Sequence, residues 1–224
     1  VTLPGLAIVS QSMLVTPTEL HRMVAAIAVQ VAHDYAPAWS RLPVFPQAFA
    51  KLADVPRGMP CIRIVDSVDV ADALGYHTET AGRITGVVGV QTILDQPSGS
   101  ILEGSVSVSA CLSHEVLETI GDPFCNVWLD GPSGFEYALE ICDPVQDQVY
   151  EIGGVSVSDF ILPAWCDVER EDVPCAFRAR PLLPFARTEG GYIVVRDAAG
   201  EPKQLGERPP HKVRAHRAGW RRTR

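Results

Sequence analysis

The run Ser113-His-Glu-Val-Leu-Glu118 holds the densest set of side chains able to do chemistry. On a helix turning about 100° per residue, His114, Glu115 and Glu118 share one face, with Cys111 between them. Val108, Leu112, Val116 and Ile120 form a stripe on nearly the opposite face. Such a helix buries its apolar side and presents an imidazole and two carboxylates on the other. His114 and Glu118 are one turn apart, about 6 Å along the axis. An imidazole nitrogen and a carboxylate oxygen at that spacing can converge on one ion, at roughly 2.0–2.2 Å each for zinc. Glu115 then points past the ion toward a bound water. Two ligands do not hold a catalytic ion, so a third must come from another segment. Glu140, in Ala138-Leu-Glu-Ile-Cys-Asp143, is the first candidate. Asp143 is an alternate ligand, or an acceptor for the imidazole N–H of His114. Asp122 is a third option, although Gly121 and Pro123 end the helix there and leave its direction open. A plainer reading competes: the charges form the solvated face of an amphipathic helix, and Glu140 pairs with a downstream arginine. His21, His33 and His77 have no partner spacing and read as structural or surface groups. Nothing in the spacing of Tyr137, Tyr150 and Tyr192 selects one of them to donate to an oxyanion.

The helix follows the logic of the H-E-x-x-H metallopeptidase motif, with Glu118 in place of the second histidine. Taken with Gly121-Asp-Pro123, Trp128-Leu-Asp130 and Glu140-Ile-Cys-Asp143, it resembles an H-E-x-x-E zincin-like family of bacteria and tailed bacteriophages. Plant phosphate-induced proteins carry a related pattern. The segments Tyr150-Glu-Ile-Gly-Gly-Val-Ser-Val-Ser-Asp-Phe160 and Pro163-Ala-Trp165 resemble the phage-encoded branch in particular. The likeness spans roughly residues 60–195. It implies a zincin-like domain with one Zn²⁺ held by His114, Glu118 and Glu140. Glu115 would be the general base of a metallopeptidase, and Asp143 or Asp122 a supporting group. Two carboxylates and one imidazole nearly cancel the charge of Zn²⁺, so bound water is less acidified than at a three-histidine site. The resemblance also implies an alternative: a non-enzymatic virion component, capsid- or tail-associated, that uses the zincin core as a scaffold.

The elements that must position these groups are legible in the apolar pattern. Leu6–Ser10 reads as a strand. Thr16-Pro-Thr-Glu19 is a capping box with Pro at the first helical position, opening a helix that ends near Asp34, before the Pro-rich run to Pro46. Cys61–Val65 reads as a second strand and Ile84–Ile93 as a third, at a sheet edge. The chemistry-bearing helix spans about 105–120. Short strands follow at 127–130, 135–141, 149–152, 155–161 and 192–195. The expected fold class is therefore α+β: a small mixed sheet, two main helices and a strand- and loop-rich C-terminal half. Residues 1–200 form one domain and 201–224 an irregular basic arm. Trp128 and Trp165 read as core or interface anchors.

Composition narrows the partners. The 224 residues are 46% hydrophobic and 21% charged, enough for a packed core. The formal net charge is −8, yet Arg208 to Arg224 holds seven Lys or Arg and no acid, so residues 1–207 carry about −15. A body this acidic repels nucleic acid, which only the arm could attract. By the family resemblance, the arm, through Arg217, Trp220, Arg221 and Arg222, is expected to bind phage structural proteins in an oligomeric or assembled state, with Trp220 as anchor. No run nears the roughly 18 apolar residues that span a bilayer, and the first residues lack the basic and apolar regions of a signal peptide, so none is expected. The expected location is the host cytoplasm, with incorporation into the virion. The six scattered cysteines form no C-x-x-C pair and read as free, mostly buried thiols.

Overall fold

Short apolar runs in the first half of the chain assemble into a five-stranded mixed sheet. The computed structural model describes residues 3, 5–68, 74–170 and 172–206. Its strands are β1 (Leu6–Ser10), β2 (Pro46–Phe49), β3 (Cys61–Val65), β4 (Gly75–Thr80) and β5 (Arg83–Gly89). They lie in the order β2-β1-β3-β5-β4, parallel throughout except for the antiparallel β4–β5 pair. β1 is covered on both faces, as parallel strands generally are. Leu6 and Ile8 enter the main core, while Ala7 and Val9 pack in a smaller cluster. The third strand expected over 84–93 stops at Gly89, where the short helix α3 (Val90–Leu94) begins. It sits inside the sheet. The edge strand next to β5 is β4, whose Gly-Tyr-His-Thr-Glu-Thr sequence has no apolar alternation to announce it.

α1 (Pro17–Val29) starts as its sequence dictates. The Thr16 side chain accepts the Glu19 N–H at 3.2 Å, and Glu19 accepts the Thr16 N–H at 2.8 Å. The helix does not stop near Asp34. It widens into a π-helical segment, Gln30–Tyr35, and continues as α2 (Ala36–Ala38). There the Ala36 N–H bonds back five residues to the Val31 carbonyl, and Pro37 falls in a first turn where its missing N–H costs nothing.

The C-terminal half contributes β6 (Trp128–Asp130), β7 (Glu136–Ala138), β8 (Val149–Glu151), β9 (Ser156–Ser158), β10 (Ile193–Arg196) and β11 (Pro202–Leu205). An antiparallel sheet runs β11-β10-β7-β6, and β8 pairs with β9 as a separate hairpin. β11 lies past residue 200, in the stretch assigned to the arm, and pairs with β10. Arg217, Trp220, Arg221 and Arg222 lie outside the described residues. The architecture is α+β. No helix among the described residues is long and apolar enough to cross a membrane. All six cysteines are free thiols, buried except for the half-buried Cys166.

α4 (Val108–Gly121) is the helix around which the rest is arranged. Ser107 caps it, accepting the Ala110 N–H at 3.1 Å. All its residues are buried, packed by β4, β5, β9 and α1. Leu112, Val116 and Leu117 are wholly enclosed, each contributing about 1.5–3 kcal/mol by burial. A closed ring of hydrogen bonds fixes its rotation. Ser113 Oγ donates to Gln30 Oε1 (2.7 Å) and accepts the Ser158 N–H (3.0 Å), while Gln30 Nε2 donates to the Ser158 carbonyl (2.8 Å). Ser109 Oγ adds a bond to the Ser156 carbonyl (2.7 Å). At the far end Arg41 donates to the carbonyls of Ile120 and Gly121, at 3.0 and 3.2 Å. It thereby serves the helix's last acceptors and its negative end. Gly121 is required by space: a Cβ there would stand 2.1 Å from Ile141 Cδ1.

Candidate metal centre

The polar face of α4 does not meet solvent. His114, Glu115 and Glu118 are 6%, 5% and 6% exposed. The solvated-face reading of these residues is thereby removed. What covers them is β4 on one side and the chain around Asp143 on the other. β4 comes this close because Gly75 has no side chain: a Cβ there would lie 2.7 Å from Cys111 Sγ and 3.1 Å from Glu115 Oε1.

Among the described residues two groups of potential ligand atoms result, and Glu118 belongs to both. In the first, His114 Nε2 lies 3.1 Å from Glu118 Oε1 and 3.2 Å from Asp143 Oδ1. In the second, His77 Nδ1 lies 3.5 Å from Glu115 Oε2 and 3.5 Å from Glu118 Oε2. Within each group all three atoms fall inside 4.8 Å of one another. Two donors at 2.0–2.2 Å from a tetrahedral ion are about 3.4 Å apart, so these separations suit a shared cation. Buried Glu115 Oε2 and Glu118 Oε1 accept no hydrogen bond of ordinary geometry. Among the described residues no Lys or Arg forms an ion pair with either glutamate.

The electrostatics follow from packing these groups together. Burial alone would raise the Glu118 carboxyl, but the charge and contact of His114, and then His77, hold it well below the usual carboxylate range. Burial alone would lower His77. The Cys125 thiol beside it, with Glu115 and Glu118, outweighs that and keeps the imidazole well above its ordinary value. Burial, followed by the charge of Glu118, pushes the Cys142 thiol well up and keeps it protonated.

The residues expected from the sequence divide. His114 and Glu118 converge across one helical turn. The carboxylate recorded beside them is Asp143, the alternate ligand of the sequence reading. Glu140 is buried at 7% but belongs to neither group. The cause is the path of the chain after β7. Ile141 packs against Gly121, and the 3-10 turn Asp143–Val145, entered through Pro144, presents Asp143 to the imidazole. Asp122 is turned to the following loop, where its Oδ2 accepts the Val127 N–H at 2.9 Å. Glu115 sits beside Glu118 and faces His77. Sequence reasoning missed His77. It lies on β4 opposite Gly86, 8% exposed, and only strand-to-helix packing brings it to α4. Tyr137 stacks in a core of Trp165 and Phe185, and the Tyr150 hydroxyl donates to Asp34 Oδ2 at 2.7 Å. Trp165 is fully buried, and Arg196 lies over Trp128, 4.1 Å from its ring centre. A small pocket lined by Leu74, Ser107, Cys111, His114, Gln146 and Ser158 reaches the His114 side of the cluster.

Comparison of the chain with protein-family models, with curated proteins and with solved structures finds no match in any of the three. The zincin-like resemblance therefore rests on the motif alone.

Proposed function

We propose that the protein binds a divalent metal, Zn²⁺ by its donor set, through His114 Nε2, Glu118 Oε1 and Asp143 Oδ1, and hydrolyses a peptide or amide bond there. One observation carries the reading: an imidazole and two carboxylates from separate segments meet at ligand spacing in a buried site, with a third carboxylate next to them. A bound cation would supply Lewis-acid polarisation of a substrate carbonyl and a more acidic water. Glu115 is the group placed to accept a proton, at its Oε2. His77 Nδ1 stands 3.5 Å from that oxygen. Among the described residues β4 has no neighbour on its outer edge within its sheet, so an extended peptide could add to it as a further strand. The likeness of the motif to H-E-x-x-E zincins points the same way.

A second reading draws on the burial of the site. Ligands only 2–6% exposed, reached by a small pocket, also suit an ion that braces the fold of a non-enzymatic phage-particle component. Its basic arm would then bind neighbouring structural proteins. Metal analysis of purified protein separates the cases. Both readings expect stoichiometric metal that His114→Ala loses. Hydrolysis of peptide substrates that Glu115→Gln abolishes, with metal still bound at His114, supports the enzyme. Metal without hydrolysis, together with co-purification in intact particles, supports the scaffold. A protein that takes up no metal defeats both.

A further inference from the structure

We infer that the cluster holds two divalent cations per chain, with Glu118 bridging them and His77 and Glu115 completing the second site. This rests on the metal-binding reading above and extends it. The two oxygens of Glu118 address different imidazoles: Oε1 lies 3.1 Å from His114 Nε2, and Oε2 lies 3.5 Å from His77 Nδ1. A carboxylate used this way sets two ions about 3.5–4 Å apart, the spacing of two-metal hydrolytic sites. The second group has the same construction as the first, one imidazole and two carboxylates at ligand separation.

Two features distinguish it from an ordinary hydrogen-bonded His–Glu pair. His77 Nδ1 is equidistant, at 3.5 Å, from Glu115 Oε2 and Glu118 Oε2, long for a hydrogen bond to either and right for ligands around a common centre. Glu115 Oε2 is also buried without a hydrogen bond of ordinary geometry, which costs free energy unless a cation satisfies it. Glu115 is then a ligand in the doubly loaded protein and a base in the singly loaded one.

The test is metal stoichiometry and coupling in the intact chain. Metal-free protein is titrated with Mn²⁺ and followed by elemental analysis and electron paramagnetic resonance. Two Mn²⁺ per chain with an exchange-coupled spectrum, reduced in His77→Ala to one uncoupled Mn²⁺ with an unchanged circular dichroism spectrum, is the expected result. One Mn²⁺ in the unmodified protein overturns the second site and leaves the first. Two ions that both persist in His77→Ala also overturn it. No bound Mn²⁺ and no bound Zn²⁺ overturns this inference and the reading it rests on together. The measurement on unmodified protein decides even if the variant does not fold.

Discussion

At the scale of single residues, the site is a matter of which carboxylate reaches which imidazole. Asp143 stands 3.2 Å from His114 Nε2, and Glu140 belongs to neither ligand group. Removing a direct ligand costs more than the 10- to 100-fold typical of outer-shell partners. Asp143→Ala is therefore expected to weaken Zn²⁺ binding by about 100-fold or more, and Glu140→Ala by only a few-fold, measured by competition with a chromophoric chelator. The reverse order would restore Glu140 as the third ligand. His114, Glu115 and Glu118 were legible because helical periodicity places them on one face from local spacing alone. His77 was not, because no periodicity links residue 77 to residue 115; only the approach of β4 at Gly75 does.

At the scale of elements, α4 is held in rotation by polar bonds that the site itself does not contain. Ser113→Ala would strand Gln30 Oε1 and the Ser158 N–H in a buried position. The expected loss is about 1–3 kcal/mol, read from denaturant unfolding. Thr16→Ala removes an exposed cap of α1 and should cost about 1 kcal/mol. If the cap variant proved the more damaging, the ring around Ser113 would not be what fixes α4. Gly75→Ala is a steric counterpart: the new methyl meets Cys111 Sγ and the Val87 carbonyl, at 2.7 and 3.0 Å. Overpacking of this kind costs about 1–3 kcal/mol. It should also lower metal occupancy, seen by elemental analysis, because β4 carries His77. The start of α1 was readable from its capping box and the span of α4 from its apolar stripe. The run of α1 through Pro37 was not, since the π register that admits proline depends on packing.

At the scale of the whole molecule, the proposed metal would tie stability to the buried acidic cluster. A ligand that binds only the folded state at 100 times its Kd adds about 2.7 kcal/mol. For a chain of this length that raises Tm by about 5–11 °C. Adding Zn²⁺ to metal-free protein should produce such a rise, removable by EDTA and reduced in His114→Ala; scanning calorimetry reads both. A Tm indifferent to Zn²⁺ and EDTA would mean that the cluster is satisfied by its own imidazoles. The sequence by itself determined the α+β class, most strands of the first sheet, the free thiols and the helix with its imidazole and carboxylates, because each follows from local periodicity, capping or composition. Only the tertiary structure decided that α4 is buried on every side, that β4 is a sheet edge, that Asp143 stands 3.2 Å from His114, and that His77 joins the cluster. Each of these depends on contacts between residues far apart in the chain. Such contacts are set by the space that Gly75 and Gly121 leave and by the polar bonds that fix the helix, and no local pattern encodes them.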